Sequence, residues 1–494
     1  MNPLMNAPEN DNQTRIKLFW LALLMLTLLA AGMRLYRLGG FSFWEDELYT
    51  VRSVSSLGQG QFSKQFGHLP SALGMIADGV DLDRINPDNV SQWKSLGVRE
   101  WNVRIGPCLV GILTIPLLGI AGRRLLGDRA TLIAALILAV SPWHIFWSQA
   151  GRFYALQFLC YNLALVWFLR CCRERSTRLA ALSAIALVLA YLAQPPALLI
   201  CLVLAGDVLG CLIRREPIGL TKTGWVLGIA AVALCLGVQI YDAKHAPDQW
   251  AYWGSLRGHT WKILAASMVL RNHPVLIAAA GLGFLGLIRK QPRLTWYLGI
   301  AAVLPVLALM ALSFKEGTYV HERYCFIVHY AWIALASLGL AAVWDAVAEH
   351  PIAPLGALAT AAVVVALLWT DLGYYRDGYR RRWSEAFAYV AQHRQPGEDV
   401  ACYSSNRTPI ARYYLQTDDV LDFAAFPTSP KKLAELKRPT WLVVPAVSAT
   451  RGEMFEHLNT DTDLKRYYDL RVLQPFASIR VYYYTPNNPP HTAD

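Results

Sequence analysis

Charge is what this chain has least of: 16% of its 494 residues are Asp, Glu, Lys or Arg, where soluble domains average about 25%. Hydrophobic residues make up 55%, the mean hydropathy is +0.30, and the apolar residues come in blocks. An ordinary soluble protein is excluded, and membrane spans are implied. Cysteine builds no framework. Eight of the nine (Cys108, Cys160, Cys171, Cys172, Cys201, Cys211, Cys235 and Cys325) lie in or beside apolar runs, and only Cys402 falls in the polar tail. No disulfide scaffold follows from that pattern, and no Cys/His set has zinc spacing. The formal charge of +11 is not gathered into a basic patch with interleaved aromatics, so a nucleic-acid partner is not expected. There is no internal repeat, and the tail has no Gly-rich phosphate loop. Arg15 and Lys17 precede the first apolar run as in a signal peptide, but no small-residue cleavage site follows. That run reads as a retained helix.

What the chain does have is eleven apolar runs, near 17–37, 103–122, 129–147, 153–170, 177–194, 196–213, 224–242, 274–289, 294–314, 323–345 and 353–372. A span needs ~20 such residues. Cations decide the orientation. Arg15 and Lys17, then Arg123, Arg124 and Arg129, then Arg170, Arg173, Arg175 and Arg178, then Arg214, Arg215 and Lys222, then Arg289, Lys290 and Arg293 fall in connectors of one parity. The opposite connectors hold few, among them Arg152, Lys315 and Arg323. The N-terminus is expected on the cytoplasmic side of an inner (plasma) membrane, and an odd span count puts the tail outside.

The expected fold is mainly α: a disordered 1–14, a polytopic membrane domain over 15–373 of about eleven transmembrane helices, and a small soluble α/β domain over 374–494. The outer loop 39–102 is long, which is uncommon without a functional reason. Its piece from Val90 to Trp101 reads as an interfacial helix in the headgroup plane. In the tail, 384–394 reads as a helix, 399–403, 441–444 and 478–483 as strands, and 409–416 and 431–437 as short helices.

This parity collects every stretch of unusual polar content on the outer face: the 39–102 loop, the 147–152 turn, the loops 243–273 and 314–323, and the tail. The first loop opens with Ser42-Phe43-Trp44-Glu45-Asp46-Glu47-Leu48-Tyr49-Thr50, three carboxylates in a row beside aromatics. Like charges at a membrane boundary are costly to ionise together. Such a cluster is tolerated chiefly where it binds or reacts with something. A solvated acidic turn that orients the first helix is the alternative.

Four segments taken in order carry a family resemblance. The stretch 42–50 resembles the Trp-x-Asp-Glu motif of bacterial family 39 glycosyltransferases. These are relatives of the protein O-mannosyltransferases and of the aminoarabinose transferase of lipid A, all with the GT-C fold. Arg99-Glu100-Trp101-Asn102-Val103-Arg104-Ile105-Gly106-Pro107 is similar to the segment entering their second helix. Ser141-Pro142-Trp143-His144 with Ser148-Gln149-Ala150-Gly151-Arg152-Phe153-Tyr154-Ala155-Leu156 resembles the stretch after their third, and Glu322-Arg323-Tyr324 the opening of a late span. Ala150 and Gly151 stand where the family often has Glu before Ala-Arg, so a contact assigned to that Glu does not carry over.

The resemblance implies transfer of a sugar from a polyprenyl-phosphate carrier to an envelope acceptor (lipid, glycan or protein) with inversion. A hydroxyl needs a positioned base, worth about 10²–10⁴-fold. Asp46 is the candidate, with Glu47 holding the acceptor or orienting Asp46, and Glu45 as the alternative base. The leaving phosphate needs cations in a water-poor site. Arg152 and Arg323 are the candidates, with Lys315 and His321 near Arg323, and Tyr49 and Tyr154 to stack on sugar or bond phosphate. Interfacial anchoring is the plainer account of each arginine and tyrosine. Some GT-C relatives use a divalent ion, but the nearer ones imply none, so neither metal nor cofactor is expected.

Among other residues, Arg104 is expected to pair with a carboxylate of the first loop, Asp207 with Arg214, and His144 to be a satisfied helix-end histidine. His68 is a candidate for shaping the acceptor entrance. Competing readings are a flippase for a polyprenyl-linked sugar, which predicts internal repeats and broken spans, and a non-catalytic assembly protein.

Overall fold

The computed structural model describes residues 9–55, 66–245, 258–315, 318–348, 350–351, 354–377, 382–403, 408–423, 438–445, 468–476 and 479–486. The chain divides into two compact units: residues 1–36 with 107–373, and residues 37–106 with 374–494. The long loop 39–102, assigned from sequence to the membrane stretch, therefore groups with the tail.

The first unit is helical. Each of the eleven apolar runs coincides with helix, but not each is a plain span. Among the described residues, eight helices are long and apolar enough to cross a membrane: Gln13–Leu35, Glu100–Leu126, Tyr154–Glu174, Pro195–Ile213, Lys222–Asp242, Pro292–Leu312, Glu322–Val347 and Pro354–Arg376. Two more are bent pairs, Asp128–Ala139 with Pro142–Ser148 at 60° and Trp261–Asn272 with Pro274–Leu287 at 87°. Thr177–Ala193 is apolar but shorter.

Both breaks have local causes. Proline has no N–H to continue a helix and is favoured at its first turn. Pro142 follows Ser141, whose hydroxyl caps the new helix, and Pro274 follows His273 at φ 67°. The helices Pro274–Leu287 and His329–Val347 approach closely at Gly283 and Gly339, where a Cβ on Gly283 would lie 2.1 Å from the Leu335 carbonyl oxygen. Small residues allow such approach between membrane helices. The N-terminal stretch corrects one expectation. Helix begins at Glu9 rather than after residue 14, because adding a residue to a formed helix gains a hydrogen bond.

The second unit contains a five-stranded sheet of order β2-β1-β3-β5-β4: β1 Asp399–Tyr403, β2 Leu421–Phe423, β3 Thr440–Pro445, β4 Tyr468–Phe476 and β5 Ile479–Pro486. β1 runs parallel to β2 and β3, with Ala401 opposite Leu421 and Asp399 opposite Thr440. β5 is antiparallel to both β3 and β4. The helix Thr408–Leu415 makes the crossover from β1 to β2. The expected helices at 384–394 and 409–416 and all three expected strands are present, while 431–437 lies outside the described residues.

One hydrophobic core joins this sheet to the first loop. Phe43, Leu48, Val51, Trp93 and Val98 are buried together with Trp383, Phe387, Val400, Val443 and Val481. That overturns the interfacial helix at 90–101. Val90–Gln92 is a single 3-10 turn followed by turns. Trp93 is fully buried, with Nε1 donating to the Asn86 carbonyl at 2.8 Å. Its apolar side faces protein, not headgroups.

Candidate active site

The three carboxylates open the helix Glu45–Ser55, where the N-terminal dipole favours negative charge. Successive helical residues point about 100° apart, so one turn sends them different ways. Glu47 is fully buried in a two-pronged ion pair with Arg104, Nε to Oε1 at 2.8 Å and Nη2 to Oε2 at 2.7 Å. Arg104 also donates to the carbonyls of Phe41 (2.7 Å) and Ser42 (2.9 Å). The expected partner for Arg104 is thus found. The Glu47 carboxylate is sealed from solvent. Asp46 and Glu45 are half-buried, and the Asp46 carbonyl accepts from Thr50 Oγ1 at 3.3 Å. Tyr49 is exposed, with the Arg52 guanidinium 5.8 Å from its ring centre. His68 is buried at the junction into the helix Leu69–Ala77.

In the helical unit, Arg152 sits in the turn after Pro142–Ser148, its guanidinium 4.5 Å from the Phe153 ring centre. Arg323 lies in the 3-10 stretch Glu322–Val328 that opens the Glu322–Val347 span. It is buried, 5.9 Å from the centre of the Tyr154 ring, and Nη2 donates to Tyr319 Oη at 3.4 Å. Tyr154 is buried against Trp147, ring centres 4.1 Å apart. The structure therefore brings Arg323 and Tyr154 together, with Arg152 two residues from Tyr154.

Glu322 is tied to the helix Trp261–Asn272 by Ser267 and by Arg271 at 3.1 Å. Burial, the Arg323 charge and His259, its ring tilted with its centre 4.0 Å away, push the His321 imidazole down to about 2. The neutral ring accepts from the Arg323 amide at 3.3 Å and starts the 3-10 turn. Lys315 is exposed at the end of Pro292–Leu312.

Asp207 pairs with Arg293 at 2.9 Å, and Arg214 pairs instead with Glu216. The nearer cation in sequence was not the nearer in space. His144 is satisfied at one nitrogen: Nδ1 accepts from Arg34 Nη2 at 2.7 Å, while no described residue bonds Nε2. Two residues escaped the sequence reading. Arg34, fully buried, also donates to the carbonyls of Ala139 (2.8 Å) and Leu138 (2.9 Å) and so closes the end of a broken helix. Asp371 is 1% exposed, and neither carboxylate oxygen has a hydrogen-bond partner among the described residues. An ionisable residue inside an apolar run was the available signal for both. Among the described residues, no group of three or more His, Cys, Asp and Glu side chains is placed to hold a metal ion.

A bundle of apolar helices with two broken spans, followed by a small α/β sheet, defines a membrane protein of GT-C fold. Residues 93–241 match the family model of dolichyl-phosphate-mannose-protein mannosyltransferases. No curated protein sequence matches the chain. Among solved structures, ArnT from Cupriavidus metallidurans in the apo state is similar at 14% identity and TM-score 0.57, over 96% of this chain and 98% of that one. The same protein bound to undecaprenyl phosphate gives 14%, 0.54, 95% and 98%. The Archaeoglobus fulgidus oligosaccharyltransferase tethered to an acceptor peptide gives 11% and 0.52, over 96% of this chain and 75% of that one.

Proposed function

We propose that this chain is an inverting glycosyltransferase that moves a hexosyl or pentosyl group from a polyprenyl-phosphate donor to an envelope acceptor. The observation that carries the reading is the buried Arg323 guanidinium over the Tyr154 ring at the non-helical start of a span, with Arg152 on the adjoining stretch. A planar guanidinium can grip a phosphate through two parallel bonds, and a lipid phosphate delivered from the bilayer is a ligand of that kind. Asp46 takes the proton of the acceptor nucleophile as it attacks the anomeric carbon. The bond from that carbon to the phosphate oxygen breaks on the opposite face. The carrier phosphate leaves with its charge held by Arg152 and Arg323. Glu47, locked to Arg104, fixes the turn that presents Asp46. The match to a mannosyltransferase family over 93–241 and the likeness to a structure holding undecaprenyl phosphate support the donor class.

The cation bias supports an N-terminus inside and chemistry outside. The odd parity needs Thr177–Ala193 as a span; its 17 residues reach about 26 Å, close to a hydrocarbon core of about 30 Å.

The two bent pairs also suit a flippase for the same lipid. Reconstituted vesicles separate the readings. Asp46→Asn is expected to lower transfer by at least about 10²-fold while polyprenyl-phosphate binding persists. Full transfer by Asp46→Asn removes the base. Lipid flipping without transfer in the unaltered protein removes the enzyme.

A further inference from the structure

Three interruptions of helix meet on one imidazole. His329 is the first residue of His329–Val347, directly after the 3-10 stretch that holds Arg323, and is 1% exposed. Its Nδ1 lies 2.6 Å from Asn272 Oδ1 and its Nε2 lies 2.6 Å from Ser141 Oγ. Asn272 ends the first limb of the 87° bend, and Ser141 fills the gap of the 60° bend. The protons can be assigned. Asn272 donates its amide N–H to the Met268 carbonyl at 2.9 Å, so Oδ1 faces the ring and Nδ1 carries the hydrogen. Nε2 is then bare and accepts the Ser141 hydroxyl proton. Ser141 in turn accepts from the His144 amide at 3.4 Å. A neutral imidazole, one donor and one acceptor, satisfies both neighbours.

Each tied segment leads to the phosphate-holding arginines. Ser141 caps Pro142–Ser148, which runs into the turn of Arg152. Asn272 ends the helix whose Ser267 and Arg271 hold Glu322, the neighbour of Arg323. The third segment carries Arg323 itself. Broken spans leave backbone that the bilayer cannot satisfy and that only protein contacts can fix. We propose that His329 is a positioning residue: by pinning both breaks to the Arg323 segment, it sets the grip on the carrier phosphate without touching it. This rests on the glycosyltransferase reading above.

Phe at 329 keeps the packing against Trp143 (5.3 Å between ring centres) and Phe326 (6.2 Å) while removing both hydrogen bonds. Gln supplies a donor and an acceptor again. The test measures binding of undecaprenyl phosphate, thermal unfolding, and amide hydrogen exchange over 322–328 in detergent-solubilised full-length protein. His329→Phe is expected to weaken binding about tenfold and to speed exchange over 322–328. His329→Gln should return binding to within about threefold, at an unchanged melting temperature. Ser141→Ala should cost less in the His329→Phe background than alone, since only the cap on the His144 amide is then left to lose. Wild-type binding by His329→Phe overturns the proposal. So does a loss that follows the melting temperature and is not rescued by Gln. If the unaltered protein does not bind the lipid, the donor assignment falls instead. The positioning claim then stands or falls on whether His329→Phe changes exchange over 322–328.

Discussion

Glu47 and Asp46 are neighbours in sequence, and they report on different things. Glu47 and Arg104 are both sealed from water, and the guanidinium is matched bond for bond by a carboxylate and backbone carbonyls. Breaking such a pair strands a buried charge and costs about 3–5 kcal/mol. Glu47→Ala should therefore lower the melting temperature of the purified protein sharply, whereas Asp46→Asn should leave it within a degree or two while transfer is lost. An Asp46→Asn variant that melts as low as Glu47→Ala would show that both serve the fold alone. The pairing of Arg104 was legible because a cation just inside a span needs a carboxylate and the first loop opens with three in a row. The partner of Asp207 was not, because Arg293 stands 86 residues away and nothing local distinguishes it from Arg214.

Helices were easy to read because an apolar run of span length has few other uses in a basic chain. Their breaks were harder. Ser141-Pro142 carries no charge, so 129–147 passes for one run, although the caps on either side settle the local conformation. The 90–101 stretch failed for another reason: an apolar face shows that something covers it, not what. Trp93 and Val98 are covered by protein. Close crossings leave their own mark. Gly106 lies under Pro70 in the loop unit, and a Cβ there would stand 1.7 Å from the Pro70 carbonyl oxygen. Gly106→Ala must push the backbone of Leu69–Ala77 away, at about 1–3 kcal/mol or more, read as a lower melting temperature. An unchanged value would mean that the short helix yields freely.

Glu398 ties three elements of the same unit, accepting from Trp441 Nε1 at 2.7 Å, from the Gln395 amide at 2.9 Å and from the Tyr483 hydroxyl. Burial works to raise its pKa, but these bonds prevail and hold it below the usual carboxylate range. A depressed folded pKa contributes stability above the unfolded value of about 4.3 that is lost as the pH falls below it. Glu398→Gln should flatten the acid limb of unfolding between about pH 5 and 3. A limb as steep as in the unaltered protein would locate acid sensitivity elsewhere.

Taken whole, the chain builds its second unit from two distant pieces, 37–106 and 374–494. The core is shared: Trp93 and Phe43 are buried in one cluster with Trp383, Phe387 and residues of the sheet. A chain ended after Gly373 should insert its helices, yet limited proteolysis should cut it within 37–106, where the full chain resists. Equal resistance would show the loop to be self-sufficient. During synthesis this division has a temporal meaning. The ribosome makes the early piece, then all of 107–373, before the late piece exists. At roughly 5–20 residues per second, tryptophans and carboxylates stand uncovered for roughly 15–50 s, long enough for a chaperone to find them. Maturation of this protein is thus timed by its last residues, and translation speed through the helices sets how long the unfinished half must be protected.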